Sequence, residues 1–597
     1  MRSPSVVFAI AIALLAEGAL AQSEPRHGLC PDAEYALVGG PLTAGAASTG
    51  TVELGTRAGL GALCPLADAV VTRSATRGTT MIRARWASCP GLPGPVELRG
   101  RIVDGCTRLF GDLRAPGMRR RIEAQRSDCG EGILDATPPD VPYAPTLASL
   151  AAHGVPAWFN DAKFGIMIHW GIFTIPAWAE TVLDPRDWLS GTKLIDPPDY
   201  GAEFFKHIPY TEWYSNTIQI DGSPAQQHQL ETYGANAKYE DFRPQFDAAA
   251  TPWSGETWAD AFSAAGAKYV VFVTKHHDGY ALWPTTVPHP KRADWHTQRD
   301  YVGELSSAVR RRCMRMGLYY SGGFDWSIQP GPVRNSIDAA LTVPQTPEYI
   351  AYADGQWREL IDRYHPAVLW NDIGYPNNAD VLSLFADYYN AIPDGVVNDR
   401  FTLIGGMTQH DYVTPEYNVL NDISAEKFET VRGMGRGFAY NQNEHDADLD
   451  SAETLIQLLI DVVSKNGNLL LNVGPLADGT IPVEQMSRLR AIGAWLGTNG
   501  EAIYGSRPWS RATAITSDGA PVRFTASADG NTIYALVFGA LPADHITIVG
   551  GVDFVPSHVR LLGAAPPVAA TQVGSDLQLT IPAAPAGQAA YAFALSR

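Results

Sequence analysis

The stretch FGIMIH at residues 164–169 shows the pattern that decides the fold: a short, mostly apolar run that ends in a histidine. Runs of the same kind recur at residues 269–274, 317–320, 367–370, 395–397 and 468–473. Longer segments separate them, and in one of these Trp357, Leu360 and Tyr364 recur at helical spacing. We therefore predict an α/β fold in which strands and helices alternate over residues 143–509 as a (β/α)8-like barrel.

A doubly wound open sheet is the alternative architecture for alternating strands and helices. Such a sheet usually carries a glycine-rich phosphate-binding loop after an early strand. The sequence contains no such loop, and this favours the barrel.

The segments on either side of the barrel differ from it in their pattern of apolar and polar residues. Residues 22–140 alternate apolar and polar side chains, as at 80–86 and 96–103, which predicts a small β domain of unknown role and partner. A proline-rich stretch at 137–142 is typical of a linker, and it marks the end of this β domain. Strand-like alternation returns over residues 510–597, where we predict a C-terminal β-sandwich.

The segment 1–21 has the pattern of a cleavable export signal. Arg2 gives a positive start, residues 6–15 are apolar, and Ala19-Leu20-Ala21 offers a small-x-small cleavage site. No later run has the length and apolar content needed to cross a bilayer. We therefore expect a soluble protein, secreted or periplasmic, with no membrane span.

The placement of the cysteines agrees with export. Five of the six lie between Cys30 and Cys129, a density typical of a disulfide framework, and their odd number leaves one unpaired. The alternative of a zinc site is disfavoured because the spacing lacks any C-x2-C pair. Cys313 lies in a helix-like stretch of the barrel, far from the others in sequence, and we expect it to remain a thiol.

The charge balance excludes one class of partner. The chain has 45 Lys and Arg against 63 Asp and Glu, a formal net charge of −18. Because nucleic-acid phosphates require a basic surface, we expect no nucleic-acid partner.

Polar and aromatic residues gather where the predicted strands end, the face on which the loops of a barrel form active sites. They are His169 and Trp170, the run 275–278, Asp325 and Trp326, the run 370–372, and the run 398–400. Aromatic faces pack against sugar rings, carboxylates and imidazoles bind hydroxyls, and cleavage of a glycosidic bond requires two carboxylates. This composition predicts a glycosidase site.

Each of these residues has a simpler explanation when it is taken alone. His169 is equally explained as a core histidine, and Asp372 as the N-cap of a following helix. His276 and His277 resemble a metal-binding pair, but adjacent strand residues face opposite ways, so we expect no metal and no cofactor. The joint occurrence of these residues at strand ends favours the site.

Five motifs in chain order make the central segment recognisable. They are WFNDAKFGIMIHWG at 158–171, TKHHDG at 274–279, YYSGG at 319–323, VLWND at 368–372 and NLLLNVGP at 468–475. With these motifs, residues 156–509 resemble family 29 of the glycoside hydrolases, the α-L-fucosidases. The resemblance implies a (β/α)8-like barrel followed by a β-sandwich, no metal, and retention of anomeric configuration. It leaves the N-terminal β domain unexplained.

The resemblance also implies roles for individual residues. The aspartate after Leu-Trp-Asn, Asp372, is the implied nucleophile, and the glutamate of a Thr-x-Glu-Tyr run, Glu416, is the implied general acid/base. Glu212 is the alternative candidate for the general acid/base, and Glu429 is the third candidate. The implied fucose-binding residues are His169, Glu212, Trp213, His276, His277 and Arg400, with Tyr210, Tyr320, Trp370 and Phe438 as further candidates.

The implied function is that of a retaining exo-glycosidase that removes terminal α-L-fucosyl residues from an oligosaccharide or glycoconjugate through a covalent fucosyl-enzyme. One alternative is the same machinery acting on an α-L-galactoside, which has the same hydroxyl arrangement. The other is a non-catalytic glycan-binding protein, and the presence of both Asp372 and Glu416 argues against it.

Overall fold

The computed structural model describes residues 8–11, 34–37, 53–54, 57–60, 64–73, 80–86, 95–103, 108–115, 118–126, 141–186, 201–402, 409–542, 544–565, 567–581 and 587–597. The chain divides into two compact units: one is Met1–Ala136 with Glu304–Arg315, and the other is Thr137–Gly303 with Met316–Arg597. The domain boundaries predicted at residues 21, 140 and 509 stay predictions.

Within its described residues, the first unit contains a nine-stranded antiparallel sheet, in the order β1-β2-β9-β8-β7-β6-β5-β4-β3. Its strands are β1 Phe8–Ala11, β2 Glu34–Leu37, β3 Glu53–Leu54, β4 Arg57–Leu60, β5 Cys64–Arg73, β6 Thr80–Trp86, β7 Val96–Val103, β8 Arg108–Ala115 and β9 Met118–Arg126. The alternating runs at 80–86 and 96–103 form the neighbouring strands β6 and β7. Strand β1 lies in the segment that we expect to be removed as an export signal.

A parallel sheet forms the centre of the second unit, in the order β14-β13-β12-β11-β10-β16-β15. Its strands are β10 Phe164–Ile168, β11 Tyr269–Lys275, β12 Arg315–Ser321, β13 Val368–Asp372, β14 Val396–Val397, β15 Phe428–Arg432 and β16 Gly467–Val473. The runs of apolar residues predicted as strands are therefore strands of this sheet.

A short segment closes this sheet into a ring. Asn398, directly after β14, pairs in parallel with Tyr412. Val413 and Glu416 pair in parallel with residues of β15. Residues 412–416 therefore take the place of an eighth strand, and the order around the ring is the order along the chain. This is a (β/α)8-like arrangement, as the sequence predicts.

Helices connect the barrel strands and begin and end at recognisable signals. They are α1 Leu147–Leu150, α2 Ala157–Ala162, α3 Ala202–Lys206, α4 Tyr214–Thr217, α5 Pro224–Tyr233, α6 Arg243–Ala249, α7 Gly255–Ala264, α8 Tyr301–Arg311, α9 Ser336–Leu341, α10 Pro347–Tyr364, α11 Val381–Ala391, α12 Ala452–Ser464 and α13 Val483–Asn499. In α10 the Thr346 hydroxyl caps the first turn and Pro347 occupies the first position. Its predicted stripe of Trp357, Leu360 and Tyr364 is buried. None of the helices described has the length and hydropathy needed to cross a membrane.

The end of the chain forms two antiparallel sheets that share one apolar core. One contains β17 Arg507–Ile515, β18 Pro521–Ala526, β19 Thr532–Phe538, β21 His558–Leu561 and β24 Ala590–Ser596; the other contains β20 His545–Ile548, β22 Ala570–Val573 and β23 Asp576–Thr580. Phe524 and Phe593 of the first sheet and Leu579 of the second are buried in this core. Two sheets packed over a common core have the layering of a β-sandwich.

Cys313 is disulfide-bonded, so the expectation that it remains a thiol is wrong. It lies just after α8, with a φ of 59°. Separation along the sequence does not limit a disulfide, because only the distance between the two Cα atoms in the fold matters. The framework predicted between Cys30 and Cys129 lies outside the residues whose side chains are described.

Candidate active site

A cavity of about 420 Å³, part of it open to solvent, lies at the carboxyl ends of the barrel strands. Its lining consists of Met167, His169, Tyr210, Glu212, Trp213, His276, His277, Tyr319, Trp370, Asp372, Ile373, Arg400, Glu416, Val431 and Phe438. The structure thus brings together all of the catalytic and fucose-binding residues named from the sequence except Tyr320.

Asp372 is the last residue of β13 and accepts a hydrogen bond on each carboxylate oxygen. Tyr319 donates its hydroxyl to Oδ2 at 2.7 Å, and Arg400 donates Nη1–H to Oδ1 at 2.9 Å. Burial alone would raise the pKa of Asp372, but the Arg400 charge and the Tyr319 hydrogen bond hold that pKa below its usual value. Asp372 is therefore an ionised carboxylate at neutral pH, as a nucleophile must be.

Glu416 ends the eighth segment and also accepts two hydrogen bonds. Tyr210 donates its hydroxyl to Oε1 at 3.0 Å, and Arg400 donates Nη1–H to Oε2 at 3.1 Å. Burial raises the pKa of Glu416, and the negative charge of Asp372 raises it further against the opposing effect of Arg400. One carboxyl whose pKa is lowered beside one whose pKa is raised is the arrangement of a nucleophile and a proton donor.

A single nitrogen sets the separation of the two carboxylates. Arg400 Nη1 contacts Asp372 Oδ1 at 2.9 Å and Glu416 Oε2 at 3.1 Å, so these oxygens lie no further apart than the sum of the two distances. Retaining glycosidases place their carboxyl groups about 5–5.5 Å apart, and inverting ones about 6.5–9.5 Å. The bound concerns one pair of oxygens, and it places both carboxyls beside one guanidinium nitrogen, close enough to act on the same glycosidic bond.

The guanidinium of Arg400 is fixed on its other sides. Its Nε donates to Thr414 Oγ1 at 2.8 Å, and its Nη2 donates to the Thr414 carbonyl at 3.0 Å. Its charged plane lies 4.7 Å from the centre of the Trp370 ring. Arg400 therefore holds both carboxylates from a rigid position, since hydrogen bonds and cation–π stacking restrain the whole group.

Two histidines present hydrogen-bond acceptors to the cavity. Ser321 donates its hydroxyl to a carbonyl, so its Oγ accepts from His277 Nδ1–H at 2.6 Å. Asn472 donates its amide nitrogen to a carbonyl, so its Oδ1 accepts from His169 Nδ1–H at 2.7 Å. Burial lowers the pKa of His277 to about 3 and the pKa of His169 to about 4. Both rings are therefore neutral, and each Nε2 carries a lone pair that suits a sugar hydroxyl.

His276 and His277 both line the cavity, so the expectation that they face opposite ways is wrong. Strand β11 ends at Lys275, and strand alternation does not extend to residues beyond it. Their ring centres lie 3.9 Å apart. Among the described residues, no group of three His, Cys, Asp or Glu side chains is arranged to hold a metal ion.

Tyr320 lies outside the cavity, which corrects its assignment as a fucose-binding candidate. Its hydroxyl donates to Gln356 Oε1 of α10 at 2.9 Å, and Lys275 Nζ lies 4.3 Å from its ring centre. Successive residues of a strand face opposite sides, so the neighbouring Tyr319 points inward instead. Tyr319 is the functional residue that the sequence analysis missed; its register partner in β13 is the inward-facing Trp370.

Glu212 lies in the cavity wall, away from the pair held by Arg400. Its Oε2 accepts from the Ala439 N–H at 3.0 Å, and its buried Oε1 has no partner among the described residues. Burial raises the pKa of Glu212 to about 7. Phe438, next to Ala439, packs 5.0 Å from the His169 ring and forms an apolar wall. Glu212 therefore contributes a buried carboxyl to the cavity wall.

A family model described as Alpha-L-fucosidase matches residues 134–501. The chain belongs to this family. The tissue alpha-L-fucosidase of Homo sapiens is 33% identical over 428 residues, 66% of this chain and 80% of that protein. The tissue alpha-L-fucosidase of Bos taurus is 32% identical over 443 residues, 70% of this chain and 83% of that protein.

A solved structure agrees with the family match. The crystal structure of Thermotoga maritima alpha-fucosidase in complex with fucose is 40% identical in sequence and has a TM-score of 0.67. The match covers 76% of this chain and 100% of that one. The family that the sequence motifs indicate is therefore confirmed.

Glu429 lies beneath this α-L-fucosidase site and does not line the cavity. It stands two residues before the cavity-lining Val431 on β15, so it faces the same interior one layer deeper. Its carboxylate accepts from the Tyr269 hydroxyl and from Trp370 Nε1–H at 3.0 Å. Glu429 therefore supports the Trp370 ring on which Arg400 rests, a role that motif comparison did not suggest.

A left-handed backbone follows each carboxylate of the fucosidase pair. Ile373, after Asp372, has a φ of 57°, and Tyr417, after Glu416, has a φ of 49°. A β-branched residue rarely adopts this region, at a cost of about 1–3 kcal/mol. The turn is tight, because a Cβ on Gly323 would lie 1.9 Å from the Ile373 carbonyl oxygen. The strained turn ends β13 directly after Asp372.

Proposed function

We propose that this protein hydrolyses terminal α-L-fucosyl residues of fucosylated oligosaccharides or glycoconjugates by double displacement with retention. The observation that carries the proposal is the single Arg400 nitrogen that binds both Asp372 and Glu416 and so holds the two carboxyls close together. A lowered pKa at Asp372 beside a raised pKa at Glu416 is what a nucleophile and a proton donor require.

In the first step Asp372 attacks the anomeric carbon while Glu416 donates its proton to the departing glycosidic oxygen. The carbon–oxygen bond breaks, and fucose is held as an ester of Asp372. Glu416, now ionised, then takes a proton from water, and the resulting hydroxide displaces Asp372 to release fucose. Arg400 stays in contact with both carboxylates as charge moves between them.

The cavity walls suit the sugar itself. The Nε2 lone pairs of His169 and His277 accept hydrogen bonds from hydroxyls, and the Glu212 carboxyl lines the same cavity. Fucose lacks a hydroxyl at carbon six, and the Phe438 ring offers an apolar surface for its methyl group. This wall favours fucose over an L-galactoside, whose carbon six carries a polar group.

Proton NMR of the earliest product tests the proposal. Purified protein acting on an aryl α-L-fucoside should release α-L-fucose first, with slower turnover of the matching aryl α-L-galactoside. Asp372→Gly should fold normally and lose nearly all hydrolysis, because no other described group lies in position to form the ester. Early appearance of β-L-fucose, or full activity of Asp372→Gly, would overturn the mechanism.

We further propose that the protein acts outside the cytoplasm. An apolar segment with a small-x-small cleavage site and the cysteine density of residues 30–129 support export. The family match begins at residue 134, so the β sheet that precedes it is additional to the matched catalytic unit.

A further inference from the structure

One face of the N-terminal sheet is basic, although the chain as a whole has a formal net charge of −18. Strands β6, β7, β8 and β9 pair in register, and directly opposed residues share a face of the sheet. Two neighbouring rows across these strands hold Arg85, Glu97, Arg114 and Arg119, and Arg83, Arg99, Asp112 and Arg121. Six arginines and two carboxylates give these rows, here called the arginine face, a formal charge of +4.

The arginine face meets solvent where its side chains are described. The side chains of Arg99, Arg114 and Arg119 are 48%, 42% and 67% exposed. Val96 and Leu98 alternate with the residues of this face along β7 and are only 1% and 0% exposed. The sheet therefore buries its apolar side and exposes these arginines.

Positions of like charge lie side by side on the arginine face. Arg83 is directly opposite Arg99 across β6 and β7, and Arg114 is directly opposite Arg119 across β8 and β9. Like charges at directly opposed positions destabilise an antiparallel pair. Asp112 lies 2.9 Å from Arg119 and 3.5 Å from Arg114, so one carboxylate is shared by two guanidinium groups. An external anion that binds both members of a pair relieves the remaining repulsion.

We propose that the arginine face binds a sulfated polysaccharide. A guanidinium group binds an oxyanion through two parallel N–H donors. The three terminal oxygens of a sulfate group can accept from two opposed guanidinium groups at once, whereas the two oxygens of a carboxylate are matched by one. The opposed arginines therefore favour sulfate over carboxylate.

The dimensions and charge of the protein favour a single polysaccharide chain over a larger polyanion. Four strands span about 14 Å at their usual spacing, so an extended chain lying across them meets one arginine after another. A nucleic-acid duplex or a membrane surface extends well beyond the arginine face, and the acidic remainder of the protein repels it. The bound polysaccharide holds the protein in place and takes no part in bond cleavage.

Dextran sulfate and uncharged dextran test the proposal on one sugar backbone. Purified full-length protein should bind immobilised dextran sulfate with an affinity that falls as salt rises, and should not bind dextran. Polygalacturonate of matched charge density, which carries carboxylates, should bind about tenfold more weakly. Absence of binding to dextran sulfate, equal binding of polygalacturonate, or tighter binding of duplex DNA or of phosphatidylserine–phosphatidylcholine vesicles overturns the proposal.

Paired substitutions locate the binding surface. Arg99→Gln combined with Arg119→Gln should keep the wild-type Tm and weaken binding of dextran sulfate by about tenfold or more. Arg334→Gln combined with Arg560→Gln is the matched control, since both arginines are also exposed and each lies beside a carboxylate. The control should bind like wild type. Equal losses in the two variants, or no loss in the first, overturn the proposal.

Arginine labelling gives a readout that needs no variant. Phenylglyoxal modifies exposed guanidinium groups, and mass spectrometry of chymotryptic peptides measures the labelling of each one. Bound dextran sulfate should protect Arg99 and Arg119 while Arg334 and Arg560 stay reactive. Equal labelling of Arg99 and Arg119 with and without dextran sulfate overturns the proposal.

Discussion

Arg400 binds both carboxyls of the site, and its charge lowers the pKa of each. Both accept a hydrogen bond from its Nη1 and another from a tyrosine hydroxyl. The pKa of Asp372 is nevertheless lowered and that of Glu416 raised. Burial and the negative charge of the ionised Asp372 together raise the pKa of Glu416 in spite of Arg400. The titrations of the two carboxyls are thus coupled, as the proposed nucleophile and acid require.

Azide distinguishes the acid/base from a binding carboxylate. Glu416→Ala should keep far more activity on an aryl fucoside with a good leaving group than on a poor one, because protonation of the leaving oxygen matters little there. Azide should accelerate turnover by this variant and yield fucosyl azide, identified by mass spectrometry. The azide anion attacks the fucosyl-enzyme without a general base, whereas water requires one.

Glu212→Ala is the matched control for this experiment. Its loss of a hydroxyl contact should slow good and poor leaving groups alike, with no response to azide. Fucosyl azide formed by Glu212→Ala and not by Glu416→Ala would exchange the two roles.

At the scale of the element, strand β12 places two adjacent tyrosines on opposite faces, where they make different contacts. Tyr319 points into the barrel and donates to the nucleophile, while Tyr320 points outward and donates to Gln356 of α10. The motif YYSGG contains both tyrosines, and it does not state which one faces inward. Pairing of β12 with β13 sets this, because Tyr319 lies opposite Trp370.

Paired tyrosine substitutions test this division. Tyr319→Phe removes a hydrogen bond to a charged oxygen, about 1.5–3 kcal/mol, and should lower kcat/KM roughly 10- to 100-fold. Tyr320→Phe should leave kcat/KM near wild type and lower the free energy of unfolding by about 1 kcal/mol, measured by urea denaturation. A larger loss of activity in Tyr320→Phe than in Tyr319→Phe would contradict the structure.

At the scale of the whole molecule, Cys313 changes the interpretation of the cysteines. Five cysteines before residue 140 cannot all pair with one another, and the sixth is disulfide-bonded. The odd number of early cysteines indicates that one of them lacks a partner within that group. The large separation of Cys313 along the chain nevertheless favoured a free thiol. Closing a long loop restricts the unfolded chain strongly, so this bond should stabilise the protein.

Alkylation before and after reduction tests this bond. In denatured, exported protein, a chymotryptic peptide carrying Cys313 should take iodoacetamide only after reduction. Cys313→Ser should expose one new thiol among residues 30–129, and peptide mapping should identify it. Labelling of Cys313 without reduction would show that it is a thiol after all. The same digests should begin at Gln22 if the export signal is removed.

The sequence by itself determined the alternation of strands and helices, the family, and eleven of the fifteen residues that line the cavity. These features are local, since burial patterns and motifs are set by neighbouring residues, and a barrel brings successive strand ends to one face.

Only the tertiary structure decided the rest, because it depends on contacts between residues far apart in the chain. Residues 412–416 pair as an eighth strand although they show no strand pattern of their own. Tyr319 faces inward because of its register with β13, Cys313 is paired because its partner lies close in space, and Glu429 supports Trp370 across the barrel.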